Sequence, residues 1–127
     1  MAGTLLEEYE RWRPELASLL DSRFYTLEWL DEQILSYQLH LFSDENCAIV
    51  ASVKTFPTGA KECHVEAACG ELESLIGPAI ARVEEWAAKQ GCIVVTIQSR
   101  EGWRKIMSSQ GYSLYQTSIR KELGGDI

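Results

Sequence analysis

The sequence predicts an α/β protein, a mixed β-sheet flanked by helices in the order αα-βββ-α-β-α-β. Three observations predict it. Two stretches with helical spacing open the chain, three stretches with period-two spacing follow without a helix between them, and the final third alternates helical and strand-like segments. The chain has 127 residues, of which 46% are hydrophobic and 24% charged, so it suits one domain with its own core. No linker, repeat or low-complexity tract divides it. Residues 1–127 are therefore expected to form one domain, with leading helices over 1–36, antiparallel strands over 37–68 and helix-strand-helix-strand over 71–123.

The first helix is expected from Thr4 to about residue 20, in TLLEEYERWRPELASLL. Thr4 followed by acidic residues is a helix start. Pro14 is expected to break or kink the helix, because proline lacks an N–H and crowds the preceding turn. The second helix starts at Thr26 as N-cap and places Leu27, Leu30, Ile34 and Leu35 on one face. The period then changes to two in QLHLF. After the SDEN turn, CAIVASVKTF is apolar and β-branched enough for a central strand. PTGAK turns the chain again, and ECHVEAA alternates as a third strand, completing an antiparallel meander.

ELESLIGPAIARVEEWAAKQG carries the strongest helical pattern. Ala79, Val83 and Trp86 form one stripe, Glu84, Glu85 and Lys89 oppose it, and Gly91 ends it. Pro78 fits best at the start of the main helix, after a shorter turn. CIVVTI then reads as a fully buried strand, joined to the preceding one by a parallel crossover. GWRKIMSSQ reads as a short helix closed by Gly111, and YSLYQTSIRKEL alternates as a last strand.

Charge and cysteine usage narrow the function classes. The net charge is −7, and residues 1–50 carry three basic against ten acidic side chains. Such a surface disfavours nucleic acid and anionic membrane. No stretch approaches the roughly 18 apolar residues of a membrane span, and MAGTLLEEYERWR does not read as a secretory signal. The four cysteines, Cys47, Cys63, Cys69 and Cys92, lack CxxC spacing, and neither histidine pairs with them at zinc-site spacing. The expectation is a reduced, cytoplasmic chain without a metal.

VEEWAAKQGCIVVTI followed by GWRKIMSSQGYSLYQTSIRKEL resembles the end of a GNAT (GCN5-related N-acetyltransferase) fold. In that family a helix ending in WA-x-x-x-G feeds a buried strand, and a short helix ending in Gly and an aromatic leads to a final strand. The resemblance covers roughly residues 25–123, and its spacing is similar to short GNAT-like proteins of bacteriophage and prophage genomes. It implies a site for the pyrophosphate of acetyl-CoA at the turn ACGELESLIGPA, where the backbone of Ala67, Ala68 and Gly70 would approach the phosphates. Family members usually place a basic residue and glycines there; Glu71, Ser74 and Ile76 stand in those positions. The family's tyrosine proton donor corresponds to Met107, which has no proton to give. Arg100 and Arg104 are the cations that would reach the phosphates from the other wall. Glu66 and His64, alternating beside the expected acceptor cleft, are the candidate bases; the competing reading leaves both facing solvent, with Cys63, Val65 and Ala67 facing the core.

Two functions follow. In the first the chain is a GNAT-fold accessory or interaction protein, of phage or prophage origin and open to association with a virion, with a degenerate pyrophosphate turn, no cofactor and a protein partner. In the second it is an atypical N-acetyltransferase that moves an acetyl group from acetyl-CoA to an amine.

Overall fold

The computed structural model describes residues 4–98 and 101–124. Helix α1 (Leu5–Ser18) starts at Thr4, whose hydroxyl accepts from the Glu7 N–H at 3.2 Å. It runs unbroken through Pro14, so the proline does not break it. A mid-helix proline costs about 3 kcal/mol. Tyr9, Trp12 and Leu16 are buried on either side of it, and each such side chain contributes roughly 1.5–3 kcal/mol. Burial wins. Helix α2 (Leu27–Leu35) starts at Thr26, which caps the Trp29 N–H. Leu30 and Ile34 are buried as expected, whereas Leu35 turns outward.

Strands β1 (His40–Ser43), β2 (Cys47–Thr55) and β3 (Lys61–Gly70) form the expected antiparallel meander. The chain then enters a helical turn, α3 (Leu72–Ser74), a π-helical turn (Leu75–Ala79) that contains Pro78, and α4 (Ile80–Lys89). A π turn is where an α-helix absorbs an extra residue, so Pro78 sits just ahead of α4 rather than inside it. Gly91, with φ +87, reverses the chain. Strand β4 (Cys92–Ile97) lies parallel to β3 at the sheet edge, in the order β1-β2-β3-β4. It is not fully buried as expected: Ile93 and Val94 are exposed. Helix α5 (Glu101–Ser108) follows.

Residues 112–124 form no strand. Leu114, Tyr115, Ile119 and Leu123 are exposed, and Glu122 is tied to Arg23 in the α1–α2 connection. Their alternation is suited to a sheet, but the segment pairs with no strand, although β4 ends the sheet order.

The sheet separates two cores. On one face Cys47, Ile49 and Ala51 of β2 and Cys63 and Val65 of β3 meet α4 and Met107. On the other, Ala48 and Val50 meet Tyr9, Trp12, Leu16, Leu30 and Ile34. This is the predicted α/β class, with helices on both faces of a mixed sheet. Strand β3 carries a bulge: Val50 pairs with Ala67 and Ala51 with Val65, leaving Glu66 as the extra residue. The bulge inverts the alternation, so Ala67 faces the α1/α2 core instead of sharing a face with Cys63 and Val65.

A polar tie secures α1 to α2. Arg13 grips both Asp31 oxygens at 2.8 Å, and the Tyr9 hydroxyl donates to the same carboxylate at 2.5 Å. The hydrogen bonds from Arg13 and then Tyr9 pull Asp31 down to about 2. Burial, then the Asp31 carboxylate, pushes the Tyr9 phenol up.

Two predictions follow from this fold. Gly70 has φ +109, and a Cβ there would lie 2.3 Å from the Asn46 carbonyl oxygen. Gly70→Ala should lower stability by at least the ~1–3 kcal/mol of backbone strain, read in denaturant melts. For Asp31 the folded pKa of about 2 lies below the ordinary value of about 3.9. Its contribution is therefore complete above about pH 4 and lost as pH falls through about 2. Asp31→Asn should lower the melting temperature at neutral pH and flatten the decline between those pH values.

Candidate functional site

Strands β3 and β4 are paired from Lys61–Cys92 to Val65–Ile97 and no further, while β3 runs on to Gly70. The two strands thus part at the Glu66 bulge. The wedge between them is lined by Val65, Ala68, Ile97, Leu75, Trp103 and Met107, around a cavity of about 20 Å³. That is the size of about one water, but the lining is apolar and offers a water no partner. Trp103 and Met107, one helical turn apart on α5, narrow the wedge from the α4/α5 side.

The turn that follows β3 forms the head of the wedge. The Glu71 N–H is bound to the Asn46 carbonyl at 2.9 Å, which fixes the sharp exit at Gly70. No side chain caps the helix start at Glu71. The first-turn N–H groups of a helix have no intrahelical partner, so the backbone here can meet an anion. The side chains oppose one: Glu71 is exposed at the cap position and Glu73 lies in the first turn. The fit to a pyrophosphate is therefore divided, with the backbone suited and the carboxylates unsuited.

His64 and Glu66 sit on the sheet face beneath α1 and α2, beyond the reach of the α1 core. His64 Nδ1 lies 2.7 Å from Thr96 Oγ1 on β4, and Thr96 Oγ1 donates to Glu62 Oε2. Glu66 accepts from Ser52 Oγ on β2 at 2.8 Å. His64 is half-buried and Glu66 exposed. The structure thus places both candidate bases on one face, at the point where β3 and β4 part. It adds Glu62, Thr96 and Ser52, which sequence reasoning missed. The register between β3 and β4 brings Thr96 beside His64, and no local pattern announces a pairing between segments so far apart in sequence.

The remaining candidates divide. Ala68 lines the wedge, whereas Ala67 is packed into the opposite core. Arg104 is exposed on α5. Arg100 lies outside the described residues. Met107 is buried in the core. The Tyr112 hydroxyl is committed to Glu84 Oε2 on α4 at 2.7 Å; burial, then this carboxylate, pushes the phenol well above its usual range. Burial likewise pushes the Cys47, Cys63 and Cys69 thiols up to about 11, which keeps them protonated at neutral pH. Among the described residues, no three His, Cys, Asp or Glu side chains are grouped so as to hold a metal ion, and no helix is long and apolar enough to cross a membrane.

No protein-family model matches the sequence, and no curated protein sequence matches it. Solved structures do. Glucosamine-6-phosphate N-acetyltransferase from Arabidopsis thaliana superposes with a TM-score of 0.69 at 14% identity, over 98% of this chain and 97% of its own. An acetyltransferase from Trypanosoma brucei gives 0.67 at 13% identity, over 92% of this chain and 94% of its own. A predicted acetyltransferase from Clostridium acetobutylicum, solved with acetyl-CoA, gives 0.66 at 10% identity, over 95% and 93%. At these identities the likeness is one of fold. The chain has the α/β fold of the GNAT acetyltransferases.

Proposed function

We propose that the chain is an atypical acyl-CoA-dependent N-acyltransferase acting on an amine. One observation carries this reading: β3 and β4 part at Glu66, and β3 runs on to a glycine turn that opens a helix with uncapped N–H groups. Acetyl-CoA, when bound, supplies an activated acetyl thioester. The backbone from Ala68 to Ser74 would hold its phosphates, helped by the positive end of the helix that follows. Arg104 and Arg100 would add charge from the α5 side. His64 and Glu66 would serve as proton acceptors at the point where the strands part, where an amine would approach. A net charge of −7 suits a cationic acceptor.

A second reading is favoured by specific observations. Met107 is buried where the resemblance expects a donor, Trp103 narrows the wedge, and Glu71 and Glu73 face the phosphate position. On this reading the fold serves a protein partner and transfers no acetyl group. The phage or prophage setting belongs to the sequence resemblance alone; relatives from a plant, a trypanosome and Clostridium lend it no support.

Isothermal titration with acetyl-CoA and with CoA separates the two. Micromolar binding supports the transferase, and no heat at millimolar ligand rejects it in favour of the partner-binding reading. The carboxylates supply a further prediction. Each costs about 1 kcal/mol against a phosphate at 4 Å in water-like surroundings. With salt screening, Glu71→Gln combined with Glu73→Gln should tighten acetyl-CoA binding about tenfold.

A further inference from the structure

Glu62, Thr96 and His64 form a hydrogen-bonded chain across β3 and β4, and its direction is set by chemistry. An ionised carboxylate only accepts, so the single Thr96 hydroxyl proton goes to Glu62 Oε2. Thr96 Oγ1, its proton so committed, has only lone pairs to offer His64 Nδ1, 2.7 Å away. Nδ1 must carry a hydrogen, and in the neutral imidazole Nε2 is left as an acceptor. Among the described residues Nε2 has no protein partner. His64 and Thr96 are the register pair just before Val65–Ile97, where the strands part.

We propose that Glu62 and Thr96 are positioning residues that hold His64 in its Nδ1–H form, so that Nε2 takes a proton from the acceptor amine. The catalytic use of this relay rests on the acyltransferase reading. In the step itself one N–H bond of the acceptor ammonium breaks and its electron pair stays on the amine nitrogen. The proton bonds to Nε2, and the imidazolium later releases it to solvent. Glu66 is the less suited of the two candidates, because its carboxylate is exposed and already accepts from Ser52.

The test is the tautomer, read from long-range proton–nitrogen correlations of the intact ¹⁵N-labelled chain at about pH 8.5, where histidine is neutral. The chain has two histidines, and His64→Gln assigns the signals. The wild type should show Nδ1 protonated and Nε2 bare. Thr96→Val should shift His64 toward the Nε2–H form, and Thr96→Ser should retain the wild-type pattern. With acetyl-CoA and a cationic amine, Thr96→Val should lower kcat about tenfold at unchanged KM, with recovery in Thr96→Ser. An Nε2–H form in the wild type overturns the relay whatever the activity. So does a Thr96→Val variant with unchanged tautomer and unchanged kcat. Failure to bind acetyl-CoA while the Nδ1–H form is present removes the acyltransferase reading, and with it the relay's catalytic use, but leaves the hydrogen-bond assignment standing.

Discussion

Strand β2 is buried on both faces over Cys47–Ala51, and the rest of the architecture answers to that constraint. A strand with no wet face needs a helical layer on each side and a paired neighbour along each edge. Helices α1 and α2 supply one layer, and α4 with α5 the other. Strands β1 and β3 satisfy its backbone. The run CAIVA reads as it does because every second residue belongs to a different core. Small residues alternate with larger ones within it, so both helical layers approach the sheet closely.

The bulge at Glu66 is the second constraint. One inserted residue lets β3 serve the α4 core with Cys63, Val65 and Ala68 and the α1 core with Ala67 and Cys69. It also sends the one charged side chain of that stretch outward to Ser52. A bulged strand bends and twists more than its neighbours. Here the bend coincides with the last β3–β4 pair, so the irregularity that reconciles the two cores also opens the wedge. Core packing and a candidate site thus share one structural cause.

What was legible in the sequence is what local chemistry decides. Thr4 and Thr26 cap helices because a side-chain oxygen can meet an N–H three residues on. Gly91 and Gly111 reverse the chain at positive φ, a conformation glycine adopts freely. The misreadings are tertiary. Pro14 lacks the power to break a helix whose flanking aromatics are buried. CIVVTI has the composition of a central strand, yet edge position is decided by what pairs beyond it. YSLYQTSIRKEL has strand alternation, yet it pairs with no strand although β4 ends the sheet, and alternation alone does not bring a segment to an edge. In the site, alternation placed His64 and Glu66 on a common face; the Glu66 bulge leaves no local mark, and Thr96 becomes visible only once two distant strands are set in register.

Whether the wedge can hold a phosphorylated ligand turns on a balance of short-range terms. Uncapped N–H groups and the helix end together offer about 0.3–1 kcal/mol per favourable charge contact at an exposed terminus. Each carboxylate takes back about 1 kcal/mol at 4 Å, less with salt. The two carboxylates together therefore exceed the helix dipole by about 1 kcal/mol, less with salt, a margin too small to decide the outcome. Apolar contact does: a pantetheine-like arm in the wedge would exchange water for Val65, Ala68, Ile97 and Trp103, at roughly 25 cal/mol for each Å² covered. A cavity of about 20 Å³ is too small for such an arm as the side chains stand. The packing of Trp103 and Met107 against the wedge therefore bears on such binding more than the acidic turn does.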